Sequence, residues 1–194
     1  MGKFKPLLPM GEKSVLEHTI DLFMQAGICD IRVVIGHRTE EIVALIKATG
    51  AEAIENPHYE SGMFSSIKAG IQSLAKPKEA FFVLPIDIPL VRRQSLLDLL
   101  NAWKNYKKKI LYPTFINRRR HPPIISTTLI QDILAWNGIG GLRSFLKQHE
   151  HHADEVPVAD IVANHMDISV QNGAPFQAGE VVYSVFISVI SLWI

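Results

Sequence analysis

The hydrophobic and polar positions of the chain follow two periods, one typical of amphipathic helices and one typical of buried strands. Residues 14–17 have the spacing of a helix capping box, and apolar residues then recur at helical intervals as far as Gly27. Residues 31–35 are rich in β-branched residues and 80–84 are an apolar run, and both are typical of short buried strands. The pattern predicts helices at 14–27, 39–50, 62–74, 93–107, 128–136 and 141–147, and strands at 31–35, 51–55, 80–84, 110–112, 123–125, 155–158 and 161–162.

Predicted strands and helices alternate from residue 14 to about residue 100, an order that favours an α/β fold with a mostly parallel sheet. The 194 residues suffice for one domain with a sizeable core. Sheets of this kind bind their ligands outside the carboxyl ends of the strands. We therefore expect a site among the loops at 36–39, 56–66 and 85–91.

Composition narrows the range of partners. The chain is 47% hydrophobic and carries a formal net charge of +1, so no global field favours nucleic acid or a membrane as a partner. The single cysteine, Cys29, excludes a disulfide within the chain and favours a reducing compartment, the cytoplasm. Because Cys29 lies between an apolar helix and a strand, we expect a buried structural thiol. Residues 1–11 lack the apolar stretch of a signal peptide.

The last residues, 181–194, are strongly apolar. This segment is shorter than the run of about 20 apolar residues that a membrane-spanning helix needs. Its apolar positions partly alternate, at Tyr183, Val185, Ile187 and Val189. A strand or an aberrant tail is therefore the better interpretation.

Asp87 is the sharpest candidate for chemistry. It follows the apolar run 80–84 and stands between Pro85 and Pro89, so its carboxylate is expected at the rim of the sheet. A carboxylate in that place can hold Mg²⁺, which prefers oxygen ligands and often bridges to substrate phosphates. An aspartate that caps a helix or closes a turn explains the position alone equally well.

Two further segments carry groups that suit a nucleotide or a phosphate. In 56–66 (NPHYESGMFSS), Gly62 allows a tight turn, and Ser65 and Ser66 offer hydroxyls and amides where a helix begins. A plain serine-capped helix has the same pattern. In 117–123 (NRRRHPP), arginines and a histidine stand before two prolines, and arginine matches phosphate oxygens in pairs. An exposed basic hairpin is the alternative for this segment.

Seven short stretches together resemble the MobA-like NTP transferase family, and in particular its molybdenum cofactor cytidylyltransferase branch. Each stretch is modest alone, but their order and intervals are those of the family, over about residues 1–168. The stretches are 1–9 (MGKFKPLLP), 14–17 (SVLE), 56–57 (NP) with 62–70 (GMFSSIKAG), 85–91 (PIDIPLV), 120–123 (RHPP), 140–143 (GGLR) and 166–168 (MDI).

The resemblance implies an α/β fold of the three-layer, Rossmann-like nucleotide-diphospho-sugar transferase type, with a mostly parallel sheet. It implies an enzyme that transfers a nucleotide from an NTP to a phosphorylated acceptor and releases pyrophosphate. Lys5 resembles the family's lysine that contacts the triphosphate and stabilises charge as pyrophosphate leaves. Asp87 resembles the aspartate that holds Mg²⁺ near the α-phosphate, and Asp167 resembles a second carboxylate near that metal.

The same resemblance assigns two loops to the substrates. The residues that read the base and ribose are Gly62, Met63, Ser65 and Ser66. The residues that face the acceptor are Arg120 and His121. CTP is favoured over GTP, molybdopterin is the expected acceptor, and molybdoenzyme maturation factors are candidate partners. A sugar or polyol phosphate is the alternative acceptor, and an inactive nucleotidyltransferase-like module is the alternative to an enzyme.

The chain departs from the family pattern at both ends. The family begins with an apolar strand and a glycine-rich loop ending in Arg-Met-Gly, whereas residues 1–2 resemble only the end of that loop. Loss of that strand, which lies in the middle of the sheet, is expected to leave an open slot with unpaired edges. Residues 169–173 also depart from the family pattern, and 181–194 have no counterpart. We expect a misassigned start, a truncated chain or an altered reading frame, with a nucleotidyltransferase-like domain at 1–168 and an atypical apolar tail at 169–194.

Overall fold

The computed structural model describes residues 5–36, 40–74, 79–86, 92–158 and 183–188. Its α-helices are α1 (Val15–Gln25), α2 (Glu40–Ala48), α3 (Met63–Gln72), α4 (Arg93–Asn105), α5 (Ile130–Ala135) and α6 (Gly141–Gln148). Its strands are β1 (Pro9–Met10), β2 (Lys13–Ser14), β3 (Asp30–Ile35), β4 (Glu52–Glu55), β5 (Ala80–Pro85), β6 (Ile110–Phe115), β7 (Arg118–Arg119), β8 (Ile124–Ser126), β9 (Ala153–Pro157) and β10 (Tyr183–Ser188). Short 3-10 helices lie at Lys5–Leu7, Tyr59–Ser61, Thr127–Leu129 and Glu150–His152.

Eight of the described strands form one sheet in the order β4-β3-β10-β5-β8-β6-β7, with β9 paired to β6. The strands β4, β3, β10 and β5 are parallel neighbours, and β9 is parallel to β6. Because β8 is antiparallel to both β5 and β6, β6 runs in the same direction as β5. The predicted α/β fold with a mostly parallel sheet is confirmed. A separate two-stranded hairpin of β1 and β2 precedes α1.

The strand β10 lies in the middle of the sheet, parallel to both of its neighbours. Val185 is level with Ile31 of β3 on one side and with Phe82 of β5 on the other. The strand interpretation of the apolar segment is therefore confirmed for 183–188. The prediction of an open slot with unpaired edges is wrong for β3 and β5, because each presents a row of backbone groups that an extended segment between them satisfies.

Helices cover both faces of this sheet, which makes the fold three-layered as predicted. The helices α1, α2 and α4 bury their apolar residues against one face, and α3, α5 and α6 do so against the other. Successive residues of β5 alternate between the two cores: Phe82 and Leu84 belong to the first, and Phe81 and Val83 to the second. The apolar run at 80–84 is uninterrupted because both faces of this strand are buried.

The start of α1 shows how local sequence sets an element. The Ser14 hydroxyl accepts a hydrogen bond from the Glu17 amide at 3.3 Å, and the Glu17 carboxylate accepts one from the Ser14 amide at 2.7 Å. This is the predicted capping box. The hydrogen bonds from Ser14 lower the pKa of Glu17 below its ordinary value.

Other predictions are wrong, are confirmed only in part or lie outside the described residues. The expectation of a buried thiol at Cys29 is wrong, because the neighbouring Ile28 takes the inward position and Cys29 is exposed. The helix predicted at 128–136 is α-helical only from Ile130 onward and begins as a 3-10 helix. The strand predicted at 161–162 and the domain boundary at 168 lie outside the described residues, so both stay predictions. Within the described ranges, no helix has the length and apolar character needed to cross a membrane.

Candidate functional site

The carboxyl ends of the parallel strands meet at one edge of the sheet. The residues that follow β3, β4 and β5 at this edge are Gly36, Asn56 and Ile86. Because β8 is antiparallel to β5, the residue His121 that precedes β8 lies toward the same edge. Loops from several strands thus converge where sheets of this type bind ligands. We call this region the carboxyl edge.

Asn56 ties its loop to the first turn of α3. The residue is 1% exposed, and its Oδ1 accepts a hydrogen bond from the His58 amide at 2.9 Å. Its Nδ2 donates to the hydroxyls of Ser65 and Ser66, each at 2.8 Å. The Ser65 hydroxyl lies 2.8 Å from the carbonyls of His58 and Gly62, to which it can donate in turn. The buried amide therefore has partners for both its oxygen and its nitrogen.

The helix α3 begins at a glycine, which has no side chain to cap it. Its N-cap residue is Gly62, with φ 91° and ψ 178°, a conformation that favours glycine, and no side-chain capping hydrogen bond is present. The first amides of a helix have no partner inside the helix and carry the positive end of its dipole. A ligand that accepts hydrogen bonds therefore suits this helix end, beside which Met63 is 40% exposed.

The loops after β3 and β4 press directly against each other. A Cβ atom at Gly36 would lie 2.5 Å from Cβ and 2.6 Å from Cγ of Tyr59, so a larger residue cannot fit without moving the loop. The Asn56 amide also donates to the Ile35 carbonyl at 2.9 Å. The end of β3 and the loop after β4 are therefore in direct contact at the carboxyl edge.

A cavity of about 520 Å³ opens between the Asn56 loop and one side of α3. Polar side chains in its wall include Glu55, His58, Lys68 and Gln72. The Lys68 ammonium donates to the carbonyls of Leu134 at 2.9 Å and Trp136 at 2.6 Å. Lys68 therefore joins α3 to the carboxyl end of α5.

The basic segment at 117–123 divides into a structural part and a part near the carboxyl edge. Arg119 donates to Glu155 at 2.6 Å and to Glu150 at 2.8 Å, and its guanidinium lies 4.2 Å from the centre of the Tyr112 ring. The hydrogen bond between Arg119 and Glu150 raises the pKa of Arg119 and lowers that of Glu150. The basic-hairpin interpretation thus describes Arg119, whose charge is already matched by carboxylates.

Arg120 and His121 form the part of the segment near the carboxyl edge. The Arg120 amide donates to the Pro113 carbonyl at 2.8 Å, and its Nε is buried with no hydrogen-bond partner among the described residues. Buried donors are almost always paired, and phosphate oxygens are acceptors that match a guanidinium. His121 is exposed. The predicted acceptor-facing role of these two residues stays a prediction.

The remaining predicted site residues are Lys5, Asp87 and Asp167. Lys5 is exposed in its 3-10 helix, and its carbonyl accepts a hydrogen bond from the Leu8 amide at 3.1 Å. Between described residues, no hydrogen bond or ion pair links the Lys5 side chain to the segment 56–66. Asp87 and Asp167 lie outside the described residues, and within the described ranges no group of three or more acidic, His or Cys side chains could hold a metal.

Two residues of the expected loops have a role that the sequence did not predict. Asn56 lies in the candidate segment 56–66, but its part in holding that segment was not predicted, although an asparagine followed nine and ten residues later by serines at a helix start was a usable signal. Gly36 reads as an ordinary loop glycine after a strand. Its need for a small side chain comes from Tyr59, a contact that sequence periodicity does not predict.

Several solved structures share the fold of this chain. Rv0371c from Mycobacterium tuberculosis H37Rv superimposes with a TM-score of 0.67 at 19% identity, covering 81% of this chain and 81% of that chain. A nucleotidyl transferase from Methanothermobacter thermautotroptrophicus gives a TM-score of 0.65 at 18% identity, covering 80% of this chain and 75% of that one. At these identities the likeness shows the fold alone.

Comparison of the amino-acid sequence with protein families identifies the family of this chain. The MobA-like NTP transferase domain matches residues 1–153, and the chain therefore belongs to the MobA-like NTP transferase family. The molybdenum cofactor cytidylyltransferase of Escherichia coli (strain K12) is 23% identical over 165 residues, which cover 84% of this chain and 82% of that protein. The bifunctional IPC transferase and DIPP synthase of Rubrobacter xylanophilus is 35% identical over 89 residues, covering 44% of this chain and 20% of that protein.

Family membership confirms the predicted enzyme class, a nucleotidyltransferase. Members of the family use NTPs and phosphorylated acceptors. Rv0371c has also been crystallised in complex with manganese.

Proposed function

We propose that this chain transfers a nucleoside monophosphate from CTP, in preference to GTP, to molybdopterin and releases pyrophosphate. The hydrogen bonds of buried Asn56 carry this proposal, because they hold an uncapped helix start at the carboxyl edge. Nucleotides bind at such edges and at such helix ends. The similarity to a molybdenum cofactor cytidylyltransferase supports the choice of CTP and of molybdopterin.

The segment 62–66 is proposed to recognise the base and ribose. Met63 is exposed and Gly62 is half-buried, and both offer backbone groups at the helix start. Ser66 is fully buried, and the hydroxyls of Ser65 and Ser66 are held by Asn56. The two serines therefore contribute mainly by fixing the loop against which the nucleotide lies.

Lys5 is proposed to contact the triphosphate and to neutralise charge as pyrophosphate leaves. Asp87 and Asp167 would hold Mg²⁺, and two carboxylates are a donor set that fits this oxygen-preferring cation. When bound, the metal neutralises charge on the phosphates. Arg120 and His121 would face the acceptor, and the unpaired Nε of Arg120 suits its phosphate.

The proposed reaction is one in-line displacement at the α-phosphorus. An oxygen of the acceptor phosphate forms a bond to this phosphorus, and the bond from the phosphorus to the oxygen that bridges to the β-phosphate breaks. The electron pair of that bond leaves with pyrophosphate. No general base is required, because the attacking phosphate is already anionic. The protein therefore acts by positioning the groups and by neutralising charge.

We further propose that the reaction takes place in the cytoplasm and that molybdoenzyme maturation factors receive the product. The reducing compartment indicated by the single cysteine supports this location. A sugar or polyol phosphate remains the alternative acceptor, since it requires the same displacement at the α-phosphorus. Only a direct comparison of acceptors separates the two.

Calorimetric titration of the chain with CTP, GTP and ATP, each with Mg²⁺, tests the nucleotide half of the proposal. CTP is expected to bind with a dissociation constant between about 1 μM and 1 mM, the range in which enzymes hold their substrates. Chelation of the metal with EDTA should weaken this binding. GTP and ATP should bind at least about tenfold more weakly, which corresponds to about 1.4 kcal/mol of discrimination.

Two results would count against this account. Preferential binding of GTP would support a nucleotidyltransferase but change the proposed nucleotide from CTP to GTP. Binding of none of the three nucleotides at millimolar concentration would remove the proposed function and favour an inactive nucleotidyltransferase-like module.

A further inference from the structure

One buried residue, Asn56, joins three separate pieces of the chain at the carboxyl edge. Its backbone N–H donates to the carbonyl of Ile35 at the end of β3. Through its Oδ1 it holds the turn at His58, and through its Nδ2 it holds the two serines of the first turn of α3. An amide is suited to this position because it accepts and donates at the same time, with two donors on one nitrogen.

Asn56 is bonded to the turn at His58 and to the first turn of α3, and these bonds constrain the loop between the two points. Ser65 receives a hydrogen bond from Asn56 and can pass its own hydrogen to the carbonyl of His58 or Gly62, each at 2.8 Å. Gly62 has no side chain with which to fix the start of the helix. Its conformation and that of Met63 therefore depend on the hydrogen bonds that reach the turn from Asn56, together with the backbone hydrogen bonds of Gly62 to Tyr59 and Ser65.

We infer that Asn56 is a positioning residue for recognition of the base and ribose. It acts through Ser65 and Ser66 on the backbone of Gly62 and Met63, and it does not itself touch the nucleotide, because it is 1% exposed. This inference rests on the proposed function, which places the base and ribose against that backbone. Its consequence is specific: loss of the network should weaken binding of the nucleoside part of an NTP and leave binding of the phosphates unchanged.

The variant Asn56→Asp tests this inference with a minimal change in size. The new carboxylate still accepts from the His58 amide, but it can only accept from the serines as well. Ser65 can then bond to it only by giving up the hydrogen that it donates to the carbonyl of His58 or Gly62. CTP affinity is expected to fall about tenfold, the effect of losing about one net hydrogen bond. The preference for CTP over GTP should shrink toward one. Inorganic tripolyphosphate with Mg²⁺, which has no base or ribose, should bind as it does to the wild-type chain.

Thr19→Val is the matched control. Thr19 is 4% exposed, and its hydroxyl donates to the Val15 carbonyl at 2.8 Å within α1, on the opposite face of the sheet from α3. This variant also loses a buried hydrogen bond, so it should lower the urea midpoint of unfolding. Its affinity for CTP and its preference for CTP over GTP should match those of the wild-type chain.

Three outcomes decide the matter. The inference is overturned if Asn56→Asp binds CTP as tightly as the wild-type chain, or if it loses CTP and tripolyphosphate to the same extent. If Asn56→Asp fails to fold, Ser66→Ala takes its place, because it removes one acceptor of the same network. This variant must lose CTP affinity without losing tripolyphosphate affinity, and the loss should be smaller than that expected for Asn56→Asp. If the wild-type chain itself binds no NTP, the proposed function fails first, and the inference fails with it.

Discussion

Replacing Val185 with proline is expected to unfold the chain or to lower its free energy of unfolding by about 3 kcal/mol or more. Val185 stands in the middle of β10, level with Ile31 of β3 and Phe82 of β5. Proline has no N–H to donate, so one neighbouring strand keeps a buried carbonyl without its partner. A loss of this size is a large part of the total stability of an ordinary domain, about 5–15 kcal/mol.

Urea unfolding followed by circular dichroism measures this effect, with two controls. Val185→Ala keeps the backbone N–H, and it separates the loss of the side chain from the loss of the hydrogen bond. Lys107→Pro places a proline in the exposed link between α4 and β6, after Tyr106, whose backbone is extended at φ −92° and ψ 138°. Both controls should remain folded. A Val185→Pro chain that unfolds at the wild-type urea concentration would show that β10 does not hold the middle of the sheet.

Replacing Asp87 with asparagine is expected to slow nucleotide transfer at least about a hundredfold, because a metal ion that neutralises phosphate charge is worth several kcal/mol in the transition state. Asp87 follows Ile86, the residue after the buried strand β5. Asparagine has nearly the same size but no charge, so it weakens the hold on Mg²⁺ without removing packing volume. Release of pyrophosphate from CTP in the presence of molybdopterin measures the effect.

Asp98→Asn is the control for the change of charge. Asp98 lies on α4, where its carboxylate accepts a hydrogen bond from Gln94 at 2.8 Å. This variant should transfer at the wild-type rate, and both variants should unfold at nearly the wild-type urea concentration. Transfer by Asp87→Asn within about threefold of the wild-type rate would exclude Asp87 as a metal ligand.

Elements set by neighbouring residues could be predicted from the sequence. The capping box at Ser14 gave the start of α1, because the groups that satisfy the first amides lie within one turn. The apolar run at 80–84 gave β5, because a strand buried on both faces leaves an unbroken hydrophobic pattern. Gly62 marked the start of α3, because its backbone conformation favours glycine.

Elements set by distant contacts could not be predicted in this way. An apolar alternation shows that 183–188 can be a strand, but only pairing with β3 and β5 puts it in the middle of the sheet. The turn between β6 and β7 is a second case. Ile116 and Asn117 have φ of 50° and 56°, and a β-branched residue such as isoleucine gives no local signal for that conformation.

The candidate site shows the same division. The resemblance to the family pointed to the segment 62–66, and the sequence pattern pointed to the loops at the carboxyl ends of the strands. The role of Asn56 depends on a network that closes only when β4 and α3 come together. The hydrogen bonds of Arg119 to Glu150 and Glu155 likewise form only on folding, so the sequence could not show which arginine of 117–123 is held by carboxylates.

Transfer of label from α-³²P-CTP tests the central claim most directly. The chain is incubated with labelled CTP and Mg²⁺, together with either molybdopterin or a polyol phosphate. Label is expected to move to molybdopterin, with one pyrophosphate released for each nucleotide transferred. Transfer to the polyol phosphate alone would replace the acceptor. Label that stays in CTP with both acceptors, although the chain is folded, would contradict the claim that this protein transfers nucleotides.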